Sequence, residues 1–396
     1  MPLSSPQPGA QTHPPPPVLA VAQQRADQPD AAAALRAQLG PGPFALVVIF
    51  VSPQADLPAL TEGLGRAFAG VPVIGCTTAG EITPQGYAEG MIVATGLPAA
   101  HFGAETLLID DLSRLEAQDL IGDLIRTRGG LRSAHPGFEH EFAFLMVDGL
   151  STKEDALTSA LASGLGAMPL FGGSAADGTR FLETFVLHGG RMLRNAAVLA
   201  VLRTHCPIRV FKFDHFRPTE TRMVVTSADP ARRIVHQINA EPAAREYARL
   251  LGKDPAQLTP FTFAAHPVVV RIGGRHHVRS IRQVEENGDL IFYSAIDEGL
   301  VLTIAEPLDM VQHLAAEFAG LSHPEPPQAI LACDCVLRRM EAQEKQLSGR
   351  LSQILRDNRV LGFSTYGEQL NAMHVNQTLT GVALYAPPAS PPKPAP

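Results

Sequence analysis

The stretch Val360 to Tyr385, VLGFSTYGEQLNAMHVNQTLTGVALY, decides how the chain reads. It opens with a short apolar run of strand type, passes through small, turn-forming and polar residues, and closes in TLTGVALY, a returning strand. Within fourteen residues the loop between these arms gathers Ser364, Thr365, Tyr366, Glu368, Gln369, Asn371, His374, Asn376 and Gln377. A plain connection has no use for so many side-chain donors and acceptors, so the loop reads as the wall of a site.

The stretch has echoes. VIGCTTAGE at Val73 to Glu81 aligns without a gap on VLGFSTYGE at Val360 to Glu368, with hydroxyls facing at Thr77 and Ser364 and the glutamates Glu81 and Glu368 coinciding. Each glutamate is followed by sixteen residues that end on a matching strand, at Leu97 and Leu384. A looser third copy is LFGGSAADG, Leu170 to Gly178. Recurrence of this kind marks a reused supersecondary unit, against the plainer reading of repeated glycine-rich turn chemistry.

Upstream of the stretch, Val336 to Leu355 places apolar residues on one side of a long helix, with Glu341 and Lys345 spaced as an i,i+4 pair. PPASPPKPAP beyond it reads as a polyproline-like tail over 387–396. At the other end, residues 1–31 are rich in Pro, Gln and Ala and read as a disordered leader, without the apolar core of a signal peptide. After Pro43, FALVVIFVS is a strand covered on both faces, LPALTEGLGRAF a helix and VIG another buried strand. A strand-rich pattern then continues to about Asn239, with helices over Ser113 to Arg128 and Lys153 to Ala167. PAAREYARLL opens a second unit whose Asn287-Gly288 dipeptide signals a hairpin. The expected fold is α+β or mixed α/β, two domains of strand-rich layers with packed helices, over 32–241 and 242–386.

Composition narrows the function. Of 396 residues, 45% are hydrophobic, enough for substantial cores. A formal charge of −7 argues against a nucleic-acid surface. No apolar run approaches the roughly 20 residues that span a bilayer, so the expectation is a soluble cytoplasmic protein without a membrane. Arg232 with Arg233 and Arg338 with Arg339 read as solvated faces. Phosphate-loop, dinucleotide and nucleophile-elbow motifs are absent.

Four cysteines, Cys76, Cys206, Cys333 and Cys335, are too scattered for a disulfide framework. Cys333 and Cys335 share a strand face and could hold a metal, but no second half of a site accompanies them, and buried thiols are the plainer reading. His374 in the polar loop and His266 before a proline are candidate iron ligands, each set against an ordinary hydrogen-bonded histidine. Asn376 and Gln377 could fix the tautomer of His374. His276 and His277 fall on a hairpin edge and are expected in solvent.

VIGCTTAGEI with Gly86-Tyr87, VDGLSTKEDAL and LFGGSAADG together resemble the N-terminal FIST sensory domain. AREYARLLG, FTFAAHPVVVRIGG, SAIDEGLVLTIAEP, LACDC and GFSTYGEQLNAMHVNQTLTG resemble the FIST C-terminal domain. Within that family the resemblance runs to bacterial stand-alone nitric-oxide-sensing haemoproteins. It implies a cytoplasmic sensor that holds a non-covalent haem b, on His374 or else His266, and signals to a separate histidine kinase, diguanylate cyclase or phosphodiesterase. The alternative is a sensor of an amino acid or related metabolite without haem. Its polar pocket would be formed by Thr77, Thr78, Glu81, Ser174, Asp177, Ser364, Thr365, Tyr366, Glu368 and Asn376. A third reading is an enzyme using Glu81 or Glu368 as acid or base. Oligomeric state is not legible.

Overall fold

A computed structural model describes residues 17–272 and 274–388. Its fold is mixed α+β, and its main body is one pattern used three times. The first unit comprises β1 (Ala20–Arg25), α1 (Ala31–Leu39), β2 (Phe44–Val51), α2 (Leu57–Ala67), β3 (Val73–Thr77), β4 (Glu81–Thr83), β5 (Gly86–Ala88) and β6 (Met91–Pro98). The second repeats it as β7 (Phe102–Ile109), α3 (Ala117–Ala134), β8 (His140–Val147), α4 (Glu154–Leu165), β9 (Leu170–Ser174), β10 (Val186–His188), β11 (Arg191–Leu193) and β12 (Ala197–Thr204).

The third unit starts at β13 (Ile208–Phe213) and is interrupted by an inserted sheet with its own helices. The insertion runs through β14 (Phe216–Asp229), β15 (Ile234–Ile238), β16 (Glu241–Pro242), α5 (Ala243–Leu250), α6 (Pro260–Ala265), β17 (Val268–Ile272), β18 (Arg275–Arg279), β19 (Ile281–Val284), β20 (Leu290–Phe292) and β21 (Val301–Pro307). The pattern resumes with α7 (Met310–Leu321), β22 (Ala329–Cys335), α8 (Val336–Glu344), α9 (Ser348–Asp357), β23 (Val360–Thr365), β24 (Glu368–Leu370), β25 (Met373–Val375) and β26 (Leu379–Leu384).

In each unit two strands joined through helix pair in parallel, β2 with β3, β8 with β9 and β22 with β23, and the returning strand lies antiparallel to the first. The small hairpin that follows the parallel pair leaves its own unit. β4–β5 adds to β23, β24–β25 adds to β9, and β10–β11 adds to β3. The three sheets are thus closed by cyclic exchange of hairpins.

Alternation along the strands explains the layers. In β2, Leu46, Val48 and Phe50 point to a core shared by all three sheets, while Val47, Ile49 and Val51 meet α1 and α2. Phe142, Phe144 and Met146 repeat the inward set in β8, and Leu331 and Cys333 in β22. Phe50 stacks on Phe363 at 4.7 Å and Phe144 on Phe171 at 4.7 Å, with an edge contact between Phe50 and Phe144. Each of these fully buried rings contributes on the order of 2–3 kcal/mol. The repeat also fixes three glycines: a Cβ on Gly75, Gly172 or Gly362 would lie 2.1, 2.3 or 1.8 Å from the carbonyl oxygen of Ile49, Leu145 or Ala332 on the parallel neighbour.

Several expectations change. The leader expected over 1–31 stops earlier, because Ala20–Arg25 pair antiparallel with β6 and Val18 and Leu19 are buried. An edge strand that pairs only with a distant partner has no local periodicity to announce it. Residues 1–16 and 389–396 lie outside the described residues. The division at 241/242 falls inside the inserted sheet, between β15 and α5, and β13 pairs across it with β26. The helix expected over Val336 to Leu355 is two helices, α8 and α9, because Gln346 adopts φ +57° between them. The Glu341–Lys345 pair does form, at 2.6 Å.

Candidate functional site

The cyclic exchange brings the three echoed loops together at the carboxyl ends of the parallel strands, where α/β sheets place their ligand crevices. One hydrogen bond recurs at equivalent places around the ring. The Thr77 N–H donates to the Phe185 carbonyl at 3.0 Å, the Ser364 N–H to Gly80 at 2.7 Å and the Ser174 N–H to Gly367 at 2.8 Å. The Thr365 hydroxyl adds a bond to the Ser174 carbonyl at 2.7 Å. Asp177 accepts from the N–H groups of Phe181, Leu182 and Glu183 and from the Tyr366 hydroxyl, so its carboxylate organises the loop that follows β9. Thr77, Ser174, Asp177, Ser364, Thr365 and Asn376 are all buried, and their bonds run to neighbouring loops.

Beside the ring lies a first cavity of about 170 Å³. Thr78, Ala79 and Gly80 of the first loop line one wall, and Val336, Arg339 and Gln343 of α8 the other. Arg339 is buried. Its guanidinium donates to the Ser364 hydroxyl at 3.3 Å, the Ala88 carbonyl at 2.8 Å and Glu89 at 3.2 Å. Glycine suits position 80 because its φ is +121°, and a Cβ would also push the guanidinium, 2.2 Å away, out of place. Glu81 lies behind this wall and accepts from the Thr78 hydroxyl at 2.5 Å and the Met91 N–H at 3.1 Å. Burial lifts its carboxyl to about 7, opposed by those two donors and by Arg339.

Glu368 makes the matching bond in the third unit. It accepts from the Thr378 N–H at 3.1 Å, ten residues downstream as Met91 is from Glu81, and from the Thr378 hydroxyl at 2.6 Å. Burial pushes its carboxyl well above the ordinary range. Both glutamates therefore tie a hairpin to its returning strand, and Glu368 lines neither cavity.

A second, smaller cavity of about 80 Å³ lies where the inserted sheet meets the ring. Tyr366, His374, Phe181, Tyr293, Arg233 and Arg282 are among its lining residues. Phe181 stacks on Tyr366 at 4.2 Å, and Arg282 sits over the Phe181 ring. His374 is buried, and burial lowers its affinity for a second proton. Its Nε2 has no hydrogen-bond partner, nor do Glu368 Oε1, Gln369 Oε1 and Asn376 Nδ2. These unmet groups crowd Gly367, where a Cβ would lie 2.8 Å from His374 Nε2 and 3.0 Å from Asn376 Nδ2.

His374 and this cavity do not fit a haem as they stand. A cavity of about 80 Å³ compares with the several hundred Å³ that even a drug-sized ligand fills. The Gln369 amide nitrogen lies 3.4 Å from His374 Nδ1, a long contact beside its bond to Ser174 at 3.0 Å. His266 does not join it. It caps α6 half-buried, and its carbonyl accepts from the Tyr247 hydroxyl.

Family models match over nearly the whole described body: the FIST N domain over residues 45–241 and the FIST C domain over 243–371. The chain belongs to the FIST family. An uncharacterized protein of Methanocaldococcus jannaschii is similar, 23% identical over 386 residues that cover 85% of this chain and 73% of the relative. The FIST domains tie the protein to sensory signal transduction. Among the described residues no helix is long and apolar enough to cross a membrane.

In this FIST chain the arginines are where the sequence reading goes furthest astray. Arg338, Arg339 and Arg233 are buried, not solvated, and only Arg232 faces solvent. Arg338 bridges Asp334 at 2.8 Å and His215 at 2.8 Å, Asp334 accepts from Tyr87, and Arg233 pairs with Glu154. Arg338 pairs with Asp334 four residues upstream, a spacing the sequence shows, whereas the Arg233 partner Glu154 lies on another unit and charge alone could not reveal it. His277, expected in solvent beside the exposed His276, is buried, which lowers its pKa to about 4. Cys333 and Cys335 are buried thiols, Cys333 in the shared core.

Proposed function

We propose that this FIST protein senses a small polar molecule bearing a carboxylate, an amino acid or a close relative, in the first cavity. The observation that carries the reading is Arg339, a buried guanidinium set in a cavity wall beside the Thr78–Gly80 loop, where a ligand carboxylate can compete with Glu89 for its charge. Glu81 behind that wall can hold or release a proton near neutrality, which suits it to respond to a ligand ammonium group. The cavity volume suits a molecule of amino-acid size. Because α8 forms one wall and the first unit the other, a ligand that binds one arrangement of these walls better shifts their equilibrium. A separate histidine kinase or cyclic-di-GMP enzyme would read that shift.

A thermal-shift screen of amino acids and dicarboxylates tests this. At least one should stabilise the protein in a concentration-dependent way, and Arg339→Lys should weaken that ligand at least tenfold, with each variant's shift read against its own unliganded melt. A screen without a stabilising compound would remove the reading.

The second reading, a haem that senses nitric oxide, is favoured by the unpartnered Nε2 of His374 and opposed by the small cavity beside it. On the metabolite reading, haemin added to the purified protein should give no sharpened, shifted Soret band beyond that of free haemin. A band that shifts with nitric oxide and is lost in His374→Ala would replace the metabolite reading with this one. The enzyme reading has less support, since Glu81 and Glu368 hold equivalent structural bonds; turnover lost in Glu368→Gln would revive it.

A further inference from the structure

At the end of the three-sheet body opposite the ring, we propose, His101, His205 and Cys206 form a binding site for a zinc ion. The backbone builds it. His101 ends the turn between β6 and β7, and His205 and Cys206 follow β12 directly. The pairing of Thr204 with Phe102 sets these segments side by side. One ligand atom from each residue lies within 4.8 Å of the others, and His101 Nδ1 stands 3.0 Å from His205 Nε2. Tetrahedral zinc with bonds of about 2.0–2.1 Å to nitrogen and 2.3 Å to sulfur needs ligand edges of roughly 3.3–3.6 Å, so side-chain rotations alone close the set.

The surroundings support ligation. The Phe138 ring packs edge-on against His205 at 5.2 Å and fixes its plane. The Cys206 N–H donates to the Thr204 hydroxyl at 3.0 Å, which fixes the backbone that carries the thiol. His101 and Cys206 are buried while His205 is half-buried, so the ion has a path in and a water can hold the fourth position. Two imidazoles with one thiolate suit zinc, whereas the harder calcium and magnesium take oxygen. Binding releases the Cys206 thiol proton to solvent. The proton shared between the two rings moves to the outer nitrogen of its own ring, so one proton leaves per ion. The bound ion would pin the first-to-second and second-to-third crossovers together.

Cobalt(II) is the probe, added to metal-stripped, reduced, full-length protein. One equivalent should produce a thiolate-to-cobalt charge-transfer band and visible bands of tetrahedral intensity, both displaced by zinc. Cys206→Ser should abolish the charge-transfer band. His205→Gln, at a half-exposed position that leaves circular dichroism unchanged, should weaken cobalt at least tenfold. The proposal is overturned if wild type shows no band or if the band persists in Cys206→Ser. Should Cys206→Ser fail to fold, unchanged cobalt affinity in His205→Gln overturns it equally.

Discussion

The hairpins after Glu81 and after Glu368 are one device in two settings. Each crosses to a neighbouring sheet, and each is tied by a glutamate to an N–H ten residues on. Around Glu81 the polar groups are matched, by Thr78, Met91 and, nearby, Arg339. Around Glu368 they are not, and four side-chain atoms of residues 368–376 lack partners although the inserted sheet reaches down to bond Asn376, Gln377 and the His374 carbonyl. The common geometry therefore belongs to the fold. Both hairpins border a cavity with an arginine in its lining; what differs, matched polar groups at one and unmet polar capacity at the other, is where function can lie.

The largest test breaks the shared device itself. Ala at Gly362, Gly75 or Gly172 drives a Cβ into a backbone carbonyl on the parallel strand, and each should cost more than about 4 kcal/mol or abolish folding, read by urea denaturation. If one of the three were tolerated, the units would not be equivalent. Next, Glu368→Ala should cost about 3 kcal/mol, because it opens a buried void and strands both Thr378 donors, whereas Glu368→Gln keeps an acceptor and should cost under about 1 kcal/mol.

Burial raises the carboxyls of both glutamates, and at Glu81 the effect has a defined window. The Glu81 carboxyl titrates at about 7 in the folded protein against an ordinary 4.5, so the folded state holds its proton more tightly than the unfolded chain. Its contribution is fully present below about pH 4.5 and is lost as pH rises through 7, on the order of 3 kcal/mol over that window. Denaturation midpoints measured from pH 4.5 to 7.5 should show this fall, and Glu81→Gln should reduce it, Glu368 contributing in the same direction. The smallest effect is expected at His374. Replacing it by Leu removes a buried Nε2 that has no partner, and stability should change by less than about 1 kcal/mol. A loss of several kcal/mol would mean that Nε2 is engaged after all.

Much of this was legible in the residues. The ungapped match of VIGCTTAGE to VLGFSTYGE carried the fold, and LFGGSAADG was visible as a weaker third copy. Its weakness now has a reason: Val186, paired with Cys76, stands where Glu81 pairs with Phe363 and Glu368 with Gly173, so the third hairpin has lost its acid. Of the candidate site residues, Thr78, Tyr366 and His374 line cavities. Arg339 is not among those candidates, because its environment is assembled from Gly80, Ala88 and Ser364, which no local period connects. The three members of the zinc site are likewise joined only by strand register.

The exchange of hairpins also sets an order of events during synthesis. β4–β5 leaves the ribosome early, yet the strand it completes, β23, begins at Val360. Until then the first hairpin must wait as an unpaired strand, exposed to neighbouring chains, whereas the edge of β3 is covered sooner, by β10. The newborn protein is thus most in need of a chaperone across the interval between its first unit and its last.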